Sequence, residues 1–224
     1  LRPPPLRAPA LRRTAIGAVM GEAVPHWQRA AVAVGAITEP PGPRPRLVGS
    51  GFFIDTEAGI IVTCAHVTQD LQDIVVGLGS PIQWRFRAVV RRISPPNNLD
   101  LALLQLTTDL NDAALPAPIQ GLNGPIEALP IGDSGQLQTG EPIVVLGYGQ
   151  PDERRWRTQT ATNTQGVYSG CFDDQSGRSF LKTDGLVLGG HSGGPAVNRR
   201  GCVIGWNAMS AMDTVRNGNE AVGR

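Results

Sequence analysis

The segment Gly190-His191-Ser192-Gly193-Gly194-Pro195 constrains this chain more than any other feature, because it sets a small, uncrowded serine in a glycine-rich turn. From such a turn two backbone N–H groups can point at one oxygen, the presentation that an acyl-transfer nucleophile needs. The G-x-S-x-G spacing also suits the elbow between a strand and a helix of an open α/β sheet, but there an acid and then a histidine follow the serine. The histidines are His26, His66 and His191, and none lies beyond Ser192. A nucleophile at Ser192 must draw its base from upstream, which excludes the α/β elbow.

Local context supplies the upstream partners. His66 ends Ile60-Ile61-Val62-Thr63-Cys64-Ala65-His66, an apolar, β-branched run that reads as a buried strand. Asp100 opens Asp100-Leu101-Ala102-Leu103-Leu104-Gln105-Leu106, a second apolar strand preceded by the turn formers Pro95-Pro96-Asn97-Asn98. Both side chains thus stand at the lip of a rigid element. With 28 Gly and 19 Pro punctuating short β-branched runs, the chain reads as all-β, and 224 residues with 41% hydrophobic content suffice for a sizeable core. Apolar or alternating stretches fall at 30–37, 47–54, 59–63, 73–78, 85–93 and 101–106, then at 141–148, 158–168, 179–183, 194–198 and 202–207.

With T-x-A-H, D-L-A-L-L and S-G-G-P in this order, the chain resembles the trypsin/chymotrypsin-like serine proteases. Gly49-Ser50-Gly51-Phe52-Phe53-Ile54, Leu146-Gly147-Tyr148-Gly149, Lys182-Thr183-Asp184-Gly185 and Val203-Ile204-Gly205-Trp206-Asn207 make it more similar to the HtrA/Deg type and other intracellular members than to digestive trypsins. The resemblance covers roughly residues 29–210. It implies two packed six-stranded antiparallel β-barrels with the active site in the cleft between them. On that reading residues 29–224 are the protease domain, with the first barrel at about 29–115, a connection at about 116–140 and the second barrel at about 141–224. His66 and Asp100 then belong to one barrel and Ser192 to the other.

The implied chemistry is peptide hydrolysis through an acyl-enzyme. Ser192 attacks, His66 accepts and returns the proton, and Asp100 fixes the imidazole tautomer. The resemblance assigns the oxyanion hole to the backbone N–H groups of Gly190 and Ser192, and Gly190 suits it because the required peptide orientation is easily reached only without a Cβ. Leu186, six residues before the serine, falls at the base of the pocket for the residue before the cut bond (P1), where trypsins hold an aspartate. A small or medium apolar P1 side chain is expected, with Asp184 the nearby residue that leaves a charge in reach. Gly205, Trp206 and Asn207 are expected to offer an edge strand to an extended substrate, or simply a core strand with Trp206 as packing. His191 departs from the aspartate of digestive relatives and the asparagine common in HtrA-like ones. It cannot pair as an anion with a new N-terminus, and a hydrogen-bonded structural role is expected. Taken singly, Ser192 suits an ordinary turn, His66 a strand end and Asp100 a turn cap. Their joint order points to catalysis, with a catalytically silent or partner-gated interaction domain as the alternative.

Residues 1–28, rich in Leu, Arg, Pro and Ala with no acid before Glu22, read as an extension or linker, or as a transit-type leader. After Asp213 the chain is polar and stops about where the family's final barrel strand is expected, as a fragment would. Cys64, Cys171 and Cys202 are too few, and Cys64 wrongly placed, for the disulfides of secreted relatives, so buried thiols and an intracellular (cytoplasmic or organellar) location are expected. A Cys64/His66 metal pair lacks a second compact ligand pair, and neither a metal nor a cofactor is expected. A formal charge of +1 gives no case for nucleic acid, and no apolar run of about 18 residues suggests a membrane span. The expected partner is a polypeptide substrate, with further domains or a homo-oligomer open. The charged loop from Pro151 to Arg157, with Trp156, is expected to be solvated, to bind a partner or to gate the site.

Overall fold

The structure is a computed structural model and describes residues 26–38, 44–95, 99–149, 160–174 and 177–208. The first half forms β1 (Ala31–Thr38), β2 (Arg44–Asp55), β3 (Ile60–Thr63), β4 (Ile74–Leu78), β5 (Gln83–Ile93) and β6 (Ala102–Asp109). These close in the order β1-β2-β3-β6-β5-β4, every pairing antiparallel. Bulges at Val34/Gly35, Val76/Gly77 and Val90/Arg92 supply bends of the kind that let six short strands curl into a barrel. A single-turn helix, α1 (Ala65–Thr68), follows β3 and carries His66.

The second half forms β7 (Pro142–Gly147), β8 (Thr162–Asp173), β9 (Ser179–Thr183), β10 (Pro195–Asn198) and β11 (Val203–Trp206), in the order β11-β10-β7-β8-β9. The first barrel is closed as expected, whereas the second is an open, five-stranded half-barrel among the described residues. Residues 209–224, where the sixth strand is expected, lie outside them, as does the Pro151–Arg157 loop.

β2 shows how the two halves meet. Its first residues alternate between exposed and buried, then Gly49-Ser50-Gly51-Phe52-Phe53 is buried without a break. A strand with one face on a barrel interior alternates, and one covered on both faces does not. The covering group at Gly49 and Ser50 is the serine turn itself. One hydrophobic cluster runs from Val32, Phe52, Ile61 and Leu104 of the barrel to Val144, Leu146, Val197 and Val203 of the half-barrel. Burial of each such side chain is worth about 1.5–3 kcal/mol before chain entropy is counted. The cleft walls therefore rest on a shared core.

Trp27, on the far side of the expected boundary at residues 28/29, is buried in that cluster and packs against Gly201, so the packed region includes it. The cysteines correct one expectation: Cys64 is buried, but Cys171 is exposed on β8 and Cys202 is half-buried. Alternation along β8 turns Cys171 outward.

Candidate active site

His66 and Asp100 meet at the mouth of the barrel. Asp100 Oδ2 lies 2.5 Å from His66 Nδ1, and Asp100 Oδ1 accepts the His66 backbone N–H at 3.0 Å. One carboxylate thus holds both ends of the same residue, fixing ring orientation as well as position. With the proton lodged on the Nδ1 side, Nε2 is the acceptor nitrogen of the neutral ring. Burial alone raises the Asp100 pKa, but the side-chain and backbone hydrogen bonds from His66 outweigh it and bring the group below its ordinary value. From the half-barrel, Trp206 Nε1–H donates to the Asp100 carbonyl at 3.1 Å.

Ser192 lies on the loop before β10. The Ser50 N–H donates to Ser192 O at 2.7 Å, and Gly193 N–H donates to Asn207 O at 2.7 Å. A Cβ on Gly193 would lie 2.2 Å from Ser50 O and 2.3 Å from Thr63 Oγ1, so the residue after the serine is pressed onto the strand that leads to His66. No hydrogen bond joins Ser192 Oγ to His66 among the described residues, and free enzymes often show this contact long or poorly aligned.

The turn before the serine is also defined. His191 N–H donates to Leu188 O at 3.1 Å, and Gly190 has φ +93°, as the third residue of a type II turn requires. A Cβ at Gly190 would meet Tyr148 O at 2.7 Å as well as incurring the left-handed strain. Among the described residues neither the Gly190 nor the Ser192 N–H is taken by a protein acceptor.

A family model described as trypsin-like peptidase domain matches residues 49–205, the span from β2 to β11 that assembles this arrangement. The chain belongs to that family. It is similar to serine protease HTRA4 of Mus musculus, 33% identical over 74% of this chain and 30% of that protein. It is also similar to the mitochondrial serine protease HTRA2 of Bos taurus, 30% identical over 75% of this chain and 32% of that protein. A putative serine protease HhoA of Synechocystis is 29% identical over 78% of this chain and 40% of that protein. The chain spans about a third of the length of these curated relatives.

Within this trypsin-like domain, Leu186 is exposed, lines the cleft with His66, and accepts Thr164 Oγ1–H on its carbonyl at 2.7 Å. Asp184 lines the cleft too and accepts the Val167 N–H on Oδ1 at 2.6 Å. The cleft, about 1220 Å³, is walled by Ile143, Val145, Ala196 and Ile204, with Gly205 and Trp206 at its edge. Asn207 lines the cleft as well. Its N–H donates to Gly194 O and its own carbonyl accepts Gly193 N–H, so its main chain braces the serine turn. Cys64, His66 and Asp100 bring ligand atoms within 4.8 Å of one another. Burial, with the charge of Asp100 adding, pushes the Cys64 thiol far above its ordinary value, and its Sγ–H donates to Asn207 O. A thiol kept protonated, beside a ring and a carboxylate already bonded to each other, is a poor ligand set.

Ser50 is the functional residue that the sequence reading passed over. Fully buried, it donates Oγ–H to Gly190 O at 2.7 Å, accepts Tyr148 N–H at 2.9 Å, and accepts Thr63 Oγ1–H on its carbonyl at 2.7 Å. Its signal was a polar residue in the middle of the apolar β2 run, between two glycines.

Proposed function

We propose that this trypsin-like domain is a serine endopeptidase that cleaves polypeptides through an acyl-enzyme on Ser192. The observation that carries the reading is the hydrogen-bonded His66–Asp100 pair together with a braced Ser192 turn that packs on Thr63 and Cys64, just before His66 in the chain. Ser192 Oγ attacks the peptide carbonyl while His66 Nε2 takes its proton, and Asp100 stabilises the imidazolium that forms. The uncommitted Gly190 and Ser192 N–H groups receive the oxyanion, where each donor is typically worth about 100- to 1,000-fold in rate. His66 then protonates the leaving amine, and water repeats the sequence to release the acid.

The cleft supports small or medium apolar P1 side chains. A lysine or arginine there would meet Leu186 and the like charges of Arg178 and Lys182, while Asp184 is held in place by the Val167 N–H on one oxygen. Desolvating a cation costs several kcal/mol, and the like charges nearby oppose it further. Digestion of a peptide library, read by mass spectrometry, is expected to show cuts after Ala, Val or Leu at least about 100-fold more efficiently than after Arg or Lys. Cuts after basic residues would refute the P1 assignment.

The partner-gated alternative draws on one observation, the lack of a Ser192–His66 hydrogen bond among the described residues. The two readings separate on whether the isolated domain turns over peptides without any added protein.

A further inference from the structure

His191 has no part in the proposed chemistry, yet it is completely buried beside the nucleophile. Its ring is bonded at both nitrogens. Leu188 N–H donates to Nδ1 at 2.9 Å, and Nε2 lies 2.8 Å from Thr162 Oγ1, whose hydroxyl is 3.3 Å from Gly147 O. A backbone N–H can donate only to an unprotonated nitrogen, so Nδ1 is bare and the proton sits on Nε2. The ring thus closes the Leu188–His191 turn a second time, in parallel with the backbone bond from His191 N–H to Leu188 O. Gly189 and Gly190 are the two residues spanned.

We propose that His191 is the positioning residue that locks the oxyanion turn, and that the lock holds only while its imidazole is neutral. The proposal rests on the endopeptidase reading for its catalytic consequence, though not for the lock itself. Protonation at Nδ1 sets a ring N–H against the Leu188 N–H, and the turn must open or rotate to part them. The surroundings offer the cation no counter-charge. Gly147 and Gly149 press on the ring so closely that a Cβ on Gly149 would lie 2.1 Å from Nδ1 and Cε1. Tyr148, the titratable residue between them, packs with Ala33 and Leu47, and burial pushes its phenol far above the ordinary value, keeping it neutral. Ser50 from β2, Thr162 from β8 and Leu188 from the turn complete the wall, and no carboxylate bonds to the ring among the described residues. Burial accordingly draws the imidazole below its ordinary value of 6.5, against a smaller upward pull from the Leu188 backbone.

The test compares wild type with His191→Asn and His191→Ala. An Asn side-chain oxygen takes nearly the place of Nδ1 and accepts a backbone N–H without titrating in this range; Ala cannot accept at all. The expected result is that His191→Ala loses about 100- to 1,000-fold in kcat with little change in KM, the range of one lost oxyanion donor. His191→Asn recovers part of that loss. The acid limb of log(kcat/KM) steepens to a slope of about 2 in wild type and stays about 1 in His191→Asn. Nitrogen-15 NMR of the wild-type imidazoles reads the lock without activity. It should find the Nε2–H tautomer at neutral pH, titrating below 6.5. An Nδ1–H tautomer, or His191→Ala with wild-type kcat, overturns the lock. Absence of hydrolysis in every protein at every pH would instead sink the endopeptidase reading, and the tautomer would still decide the lock.

Discussion

At the scale of residues, the side chains proposed to react were legible and those that hold them were not. His66, Asp100 and Ser192 each sit in a short local string whose turn and strand chemistry shows in a few neighbours. Ser50 acts on Tyr148 and Gly190, and Asn207 on Gly193 and Gly194, over separations that no local pattern reveals. Ser50→Ala would orphan the buried Tyr148 N–H and free the Gly190 carbonyl, costing about 1–3 kcal/mol of stability. The same variant is expected to lose catalysis beyond its loss of folded protein, which denaturant titration beside kinetics would separate. Wild-type kcat in a destabilised Ser50→Ala would make Ser50 a purely structural residue.

At the scale of elements, the strands were read well because turn residues bound them. β1, β3, β4, β9 and β10 fall within a residue or so of the apolar stretches that announced them. β8 was placed at 158–168 and runs instead from Thr162 to Asp173. It continues past Gly170 because β9 pairs with it as far as Asp173↔Ser179, and Phe172 stacks on Phe180 with ring centroids 5.2 Å apart. That partner is invisible to a local window. The loop between strands can be as demanding as the strands. Gly193 has φ +86° and no room for a methyl group against Ser50 O, Thr63 Oγ1 and Cys64 N. Gly193→Ala is expected to keep the β-rich circular dichroism spectrum while losing at least about 100-fold in kcat, the effect of a displaced nucleophile. Near-wild-type turnover would mean that the turn relaxes without moving Ser192.

At the scale of the whole molecule, one core joins the barrel to the half-barrel, so the site and the fold share their stability. The all-β class and the closed first barrel could be read in advance; for the second half the resemblance implies six strands, whereas local apolar stretches mark five, the number found among the described residues. Shared stability makes the pH response a property of the entire domain. His191 is held below 6.5, so as pH falls through 6.5 the unfolded chain takes a proton that the folded one refuses, and stability declines until the folded value is reached. Asp100 is held below 3.8, so its contribution is intact above that value and is lost as pH falls towards the folded one. Thermal melts should show Tm falling in two acid stages, and His191→Asn should remove the upper stage while leaving the lower. A Tm independent of pH between about 4 and 6.5 would contradict this.

The central claim is that Ser192 is a nucleophile made reactive by His66. Labelling of the purified domain with a fluorophosphonate probe tests it most directly, with Ser192→Ala and His66→Ala in parallel. The account predicts a single adduct mapped by mass spectrometry to Ser192 in wild type, and none in either variant. A folded wild-type domain that takes no label, or a His66→Ala protein that labels as fast as wild type, would contradict it.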